Sequence, residues 1–255
     1  MGKTALVTGA TSGIGYALTQ LLAADGYDLI LVSRNEEKMR SIKDALPERS
    51  VAIIQKDLSK QGAAKEVFDE VKQDGRSVNV LINNAGFGLV GAFDSLDTDL
   101  QNEMIQLNVT ALTNLTSYFL PELKQHAGKI LNVASTAAYQ PGPFMAVYFA
   151  TKAYVLSFSE ALAEELSGSG VSVTVLCPGP THTNFGAVAH AEDIKMFSKT
   201  MDVNRVAQIG YQAMIKGRRV AIPGNINHAG VIAAKVLPRS WGAKAVRFVT
   251  GEKKK

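Results

Sequence analysis

Cysteine is almost missing from this chain. Its one occurrence in 255 residues, Cys177, can close no disulfide within the chain. That excludes a disulfide-stapled secreted scaffold and fits a reducing cytoplasm. With no histidine or acid near it in sequence, Cys177 reads as a buried strand residue. Histidine is scarce too, and its four copies are scattered. No metal-ligand spacing appears, so no metal is expected. No apolar run approaches the ~20 residues that a membrane span needs. An apolar strand begins two residues after the amino terminus, which leaves no room for a signal peptide. There is no internal repeat, and low complexity is confined to the terminal lysines. No nucleic-acid reader module is present, so no nucleic-acid partner is expected.

What is present suits one soluble domain with ample core. The composition is 46% hydrophobic and 20% charged. The net charge of +4 is unevenly spread. Residues 214–255 hold ten Lys/Arg and one acid, whereas residues 1–213 hold 17 basic and 22 acidic residues. The last sixth of the chain is therefore a cationic segment on a mildly acidic body.

Apolar runs alternate with stretches of helical spacing. Strands are predicted at Thr4–Thr8, Asp28–Val32, Val51–Gln55, Val78–Ile82, Lys129–Ala134, Val171–Cys177 and Val220–Ile222. Helices are predicted at Ile14–Asp25, Glu36–Leu46, Ala63–Asp74, Leu100–Lys124, Tyr148–Leu166 and Val203–Lys216. Runs that are apolar throughout imply strands covered on both faces. Strand and helix in turn imply right-handed crossovers and an α/β fold, a doubly wound parallel sheet of about seven strands. Ligands of such sheets bind beyond the carboxyl ends of the strands.

Tyr148 and Lys152 stand four apart, and of seven tyrosines only Tyr148 has a lysine at that spacing. On a helix the two share one face. A free phenol titrates near 10 and is a poor base at pH 7. An ammonium ~4–5 Å away supplies about 4 kcal/mol at an effective dielectric near 20, enough to lower that value by ~3. The pair can therefore act as an acid–base device.

Other candidates fall at strand ends. Thr8-Gly9-Ala10-Thr11-Ser12-Gly13-Ile14-Gly15 follows the first strand and opens the first helix. It is a variant of the dinucleotide-binding glycine fingerprint. Gly9 permits the tight turn, Gly13 lets backbone approach a pyrophosphate, and Gly15 permits close packing of helix on strand. Thr11, Ser12 and Ile14 complete the turn at a helix amino terminus that favours anions. At the end of strand two, Ser33-Arg34-Asn35 replaces the acid expected for NAD. A guanidinium there can bind a 2′-phosphate, which favours NADP(H). Asp57 and Leu58 follow strand three, where Asp57 could accept from an adenine amino group or cap a helix. Asn84-Ala85-Gly86 follows strand four and presents a small profile to the adenosine ribose, or a plain turn.

In order and spacing, Thr8–Gly15, Asn83–Gly86, Asn108, Ser135, Tyr148/Lys152 and Pro178-Gly179 resemble the short-chain dehydrogenases/reductases over roughly residues 3–224. Leu29–Asn35 and the Ile222-Pro223-Gly224 ending look like a bacterial NADP-dependent subgroup, itself similar to hydroxysteroid and long-chain 3-ketoacyl reductases. The ending Ile222-Pro223-Gly224-Asn225 departs from the Asp-Gly-Gly of β-ketoacyl-carrier-protein reductases. The resemblance implies an oxidoreductase that passes a hydride between NADP(H) and the carbonyl or alcohol of an apolar small molecule. The alternative is a non-catalytic NADP-binding scaffold or sensor. Tyr148 would be the general acid/base, and Lys152 would lower its pKa and hold the nicotinamide ribose. Ser135 would hydrogen-bond the substrate oxygen. Asn108, in a kinked long helix, would hold a water linking Lys152 to solvent. Pro178, Gly179, Thr181 and Thr183 would meet the nicotinamide end of the cofactor, with His182 pointing outward. The family also implies a homodimer or homotetramer formed through long helices.

The catalytic domain is expected over residues 1–228, with a substrate lid at about 184–202. Phe185, Met196 and Phe197 of the lid, and Phe87, Leu89, Phe144 and Met145 of other loops, would form an apolar wall. Residues 229–255 read as a basic amphipathic extension in two pieces, Val231–Leu237 and Trp241–Val249, parted at Pro238. It packs on the body as a solvated helix, makes peripheral membrane contact, or binds an acidic carrier or acyl-CoA phosphate.

Overall fold

A computed structural model describes residues 2–183 and 200–250 of the chain. Seven strands form one sheet in the order β3-β2-β1-β4-β5-β6-β7. They are β1 (Thr4–Thr8), β2 (Asp28–Ser33), β3 (Val51–Gln55), β4 (Val80–Asn83), β5 (Lys129–Val133), β6 (Ser172–Leu176) and β7 (Val220–Ala221). Every neighbouring pair is parallel. The doubly wound sheet is thus the one expected, with ends shifted by one or two residues at several elements.

The uninterrupted apolar strands are explained by helices on both faces. Ala5, Val7, Leu29 and Leu31 pack with α1 (Gly13–Ala24), α2 (Glu36–Asp44) and α7 (Val203–Ile215). Leu6, Ile30, Leu81 and Ile130 point the other way. They meet α3 (Ala63–Gln73), α5 (Leu112–Gln125) and α6 (Ala146–Glu165). Between these layers runs a buried polar chain. The Asn83 amide donates to Thr116 and Asn132, and the Asn132 amide donates to Ser159. It ties β4 and β5 to α5 and α6, so the sheet and the helix carrying Tyr148 keep one register.

The long helix expected over Leu100–Lys124 is three segments. These are α4 (Thr98–Ile105), a π-helical stretch (Gln106–Ala111) and α5. Its irregularity is wider winding rather than a simple kink, and it centres on Asn108.

The carboxyl-terminal part folds as α8 (Asn225–Val236) and α9 (Arg239–Thr250), separated at Leu237-Pro238. The boundary expected after residue 228 falls inside α8. No helix among the described residues is long and apolar enough to cross a membrane.

Candidate active site

Strand order reverses between β1 and β4, so their carboxyl ends part and leave a crevice. A cavity of about 820 Å³ opens there. One end lies at the glycine-rich turn. Gly9 and Gly13 adopt φ of +65° and +54°, values that favour glycine. A Cβ at Gly15 would sit 2.3 Å from the Gly9 carbonyl oxygen and the Asn84 amide, so only glycine fits. Gly15 itself stays outside the cavity; it brings α1 close enough for the turn to form. Ser12 is the N-cap of α1 but makes no side-chain cap bond, and no acid occupies the first turn. The first amides of a twelve-residue helix are open to an anion, which suits a pyrophosphate.

Thr8 organises the opposite side of the crevice. Its hydroxyl accepts from the amides of Asn84 and Ala85, at 3.0 Å each, and donates to the Ile82 carbonyl. The Asn84 amide returns a bond to the Thr8 carbonyl at 2.9 Å. The sequence places Thr8 at the strand end that opens the glycine-rich turn, and its cross-strand role has no local signal.

Beyond this turn Ser33 and Arg34 border the cavity, and Thr11 and Ser33 share a hydrogen bond of 2.9 Å. Lys56 adds a second cation to this rim that the motif reading missed. Asn35 does not reach the cavity; its side chain caps α2 by accepting from the Lys38 amide. Asp57 and Leu58 line the same end. Partial burial acts to raise the Asp57 pKa. The Ser59 hydroxyl and amide bonds, helped by Arg34 and Lys60, outweigh it and hold the carboxyl below its ordinary value.

At the other end stand Ser135, Tyr148 and Lys152. Ser135 follows β5 in extended backbone, and its oxygen accepts from the Ala137 amide at 3.1 Å. Its hydroxyl is also hydrogen-bonded with that of Tyr148. Lys152 is buried on the same face of α6, with Nζ 2.9 Å from the Val133 carbonyl oxygen and 5.8 Å from the centre of the Tyr148 ring. A Cβ on Gly86 would come within 3.5 Å of this Nζ and 2.8 Å of Asn108 Oδ1, so the glycine leaves room for both.

The electrostatics differ from expectation. Lysine was to lower the phenol, but burial pushes Tyr148 up to about 12, and the Ser135 bond is the opposing influence. Burial also brings Lys152 down to about 8. The ammonium bonds the Val133 carbonyl, and desolvation outweighs the opposing influences on both groups.

Asn108 stands behind the cavity. Its amide donates to the Phe87 carbonyl and the Thr151 hydroxyl, and its oxygen accepts from the Phe87 amide. It positions the Phe87 loop against α6. Pro178, Gly179, Thr181 and Thr183 line the cavity, and His182 is exposed, as expected. The Thr181 hydroxyl donates to the Gly179 carbonyl, and the Pro178 carbonyl accepts from the Thr136 amide.

The apolar wall is composed differently from the expectation. Phe87 and Met145 line it, but Leu89 packs into the cluster behind, and Phe144 turns away at φ +64° with Arg247 over its ring. The lid at 184–202, with Phe185, Met196 and Phe197, lies almost wholly outside the described residues. The unforeseen part of the wall is the extension. Val231 and Ala234 of α8 and Val246 and Val249 of α9 face the cavity. Val246 packs in one cluster with Tyr148, Phe149 and Met145. Asn227 closes on Gly179, where a Cβ would lie 2.3 Å from its Oδ1.

Comparison with known proteins agrees with this arrangement. The short chain dehydrogenase family model matches residues 3–194. Sulfoacetaldehyde reductase 2 of Chromohalobacter salexigens is 33% identical, over 96% of this chain and 99% of its own. A short-chain dehydrogenase of Sphingobium yanoikuyae, solved with NADPH, superposes with a TM-score of 0.81 at 29% identity, covering 93% of this chain and 97% of its own. The bulky-bulky ketone specific alcohol dehydrogenase of Comamonas testosteroni reaches 0.77 at 29%, covering 93% and 96%.

Proposed function

This chain belongs to the short-chain dehydrogenase family of oxidoreductases, and from that premise we propose that it is an NADP(H)-dependent carbonyl reductase for apolar ketones or 3-oxoacyl compounds. Gly9, Thr11, Ser12, Gly13 and Ile14 would hold the pyrophosphate. Ser33, Arg34 and Lys56 would hold the 2′-phosphate, and Asp57 with Leu58 the adenine. Asn84, Ala85 and Gly86 would follow the adenosine ribose, Lys152 the second ribose, and Pro178, Gly179, Thr181 and Thr183 the carboxamide. NADP(H), when bound, supplies the hydride.

The observation that carries the proposal is the Ser135–Tyr148 hydroxyl pair, a half-buried serine and a buried tyrosine on the wall of a cavity whose far end suits a dinucleotide. A phenol held near 12 keeps its proton at neutral pH. It is therefore poised to donate to a carbonyl oxygen as negative charge develops there. Ser135 would donate a second hydrogen bond to the same oxygen. Lys152, near 8 and mostly charged at pH 7, adds positive potential beside it. Asn108 and Thr151 fix the helix face on which both groups stand.

Substrate class follows from the wall. Between Tyr148 and α9 the cavity presents Phe87, Met145, Phe149, Val231, Val246 and Val249. Among the described residues, Lys152 is the one cation at that end. The name of the Chromohalobacter relative denotes a small anionic aldehyde, for which the described residues of this wall offer no cation besides Lys152. The ketone named for the Comamonas relative fits it better. Subunits would pair through α4–α6, where Ile105 and Tyr154 are exposed.

The test is NADPH oxidation against bulky ketones, 3-oxoacyl thioesters and sulfoacetaldehyde, repeated with Tyr148→Phe. Expected is turnover of the apolar carbonyls, reduced ~10³-fold or more in the variant with NADPH binding retained. Unchanged turnover in Tyr148→Phe would remove the phenol from the mechanism.

A further inference from the structure

α8 is apolar on two sides. Its inner side, Val231 and Ala234, lines the cavity. Its outer side is Ala229, Ile232, Ala233 and Val236, at spacings of three, one and three. Two of these are large and open to solvent, with Val236 79% and Ile232 59% exposed, and Ile226, at the cavity mouth, is 87% exposed. An apolar helix face is normally covered, whichever side of the helix it lies on. Leu237 and Trp241 continue the exposed apolar surface through the turn into α9, with Trp241 60% exposed.

The charges around this face are of one sign. Residues 225–250 contain Lys235, Arg239, Lys244 and Arg247 and no Asp or Glu. None of the four joins an ion pair among the described residues. A second copy docking by the same face would set like charges against each other with no acid between them, Lys235 and Arg247 being held over the rings of Tyr139 and Phe144. A surface with an apolar interior and an anionic border satisfies both halves of the pattern. We propose that the outer faces of α8 and α9 dock on an anionic lipid bilayer. Ile232, Val236 and Trp241 enter the acyl boundary, and the lysines and arginines remain at the headgroups. The inner faces of the same two helices wall the cavity, so docking would bring the substrate end of the site to the reservoir of apolar carbonyl compounds.

Trp241 is the only tryptophan of the chain, so its emission reports on this face alone. The full-length protein is mixed with phosphatidylcholine vesicles and with vesicles that also contain phosphatidylglycerol. Expected is co-sedimentation with the anionic vesicles, a blue shift of Trp241 emission, shielding from iodide, and release on raising salt. Lys244→Glu should weaken binding at least about fivefold. Ile232→Glu should abolish the blue shift while reduction of a water-soluble ketone stays unchanged. The proposal is overturned if anionic vesicles leave both the protein and its emission where they were. It is equally overturned if sedimentation occurs without any change at Trp241. A third contrary result is Trp241 already shielded in vesicle-free solution and uncovered when Ile232→Glu dissociates a dimer, since a second copy would then be the occupant. None of these outcomes depends on the assignment of the reaction.

Discussion

The two ends of the cavity are built by different means. At the glycine-rich end, function lies in backbone: two positive φ angles, an open helix terminus and a 2.3 Å limit at Gly15. At the carboxyl-terminal end it lies in side chains from helices 80 to 100 residues away from Tyr148, which meet the catalytic face only by packing. The first end tolerates almost no change, whereas the second can be reshaped by substitution. The strongest test of that contrast is Gly15→Ala. Its methyl group would overlap the Gly9 carbonyl, a backbone atom that cannot swing aside. Loss of about 3 kcal/mol or more is expected, together with NADPH binding. Urea unfolding and nucleotide fluorescence titration measure the two.

Lys152 stands where the ends meet, and its effect is next in size. A lysine near 8 in the fold and near 10.5 when unfolded makes the charged form cost on the order of 3 kcal/mol at neutral pH. Between those values the unfolded chain binds more protons than the folded one. Stability from this group therefore rises with pH from about 8 to 10.5. Above about 10 the raised Tyr148 phenol works the other way, because the folded state then holds the extra proton. Comparing urea midpoints at pH 7.5 and 9.5 should show the rise in wild type and its absence in Lys152→Met. The variant should be at least as stable as wild type at pH 7.5, though inactive. A variant that is less stable at pH 7.5 would mean that the bond to Val133 outweighs the desolvation.

Arg34→Asp probes the cofactor end more gently. Removing a guanidinium and adding a carboxylate should weaken NADPH by about 10- to 100-fold and shift preference to NADH. Lys56 remains as a residual cation, so the loss should be smaller in Arg34→Asp than in the double variant with Lys56→Glu. Dissociation constants for both nucleotides measure this. A wild type that already prefers NADH would break the reading of this rim.

The same contrast explains what could be read from sequence. The seven strands were legible because each is a short run apolar on both faces, and Ala5/Val7 against Leu6 shows why. Gly9, Gly13, Ser135, Tyr148 and Lys152 were legible because their spacing is local to one turn or one helix. Asn35 misled because a helix cap and a phosphate ligand call for the same residue at the same place. Thr8 was missed because its hydroxyl acts across to β4. The π-helical stretch at Asn108 has no composition of its own. The role of α8 and α9 was hidden because amphipathic spacing gives a helix an inner face without saying what that face meets. A spacing of four puts Lys152 and Tyr148 on one face but carries no measure of the burial that raises the phenol and lowers the ammonium.

The smallest effect expected is at the carboxyl-terminal wall. Val246 is 2% exposed and packs beside Met145, Tyr148 and Phe149. Val246→Ala removes two methyl carbons from a boundary shared by the core and the cavity. Part of the volume collapses, which costs about 1–2 kcal/mol of stability. The remainder enlarges the cavity next to the phenol. A ketone with a bulkier second substituent should then gain about three- to tenfold in kcat/KM relative to a slim one. NADPH affinity should not change, because the residues meeting the dinucleotide lie on β-strand ends that α9 does not support. Selectivity and nucleotide affinity moving together in this variant would mean that the two ends are mechanically coupled. The route would be the Asn227–Gly179 contact, and Asn227→Ala would then reproduce the change.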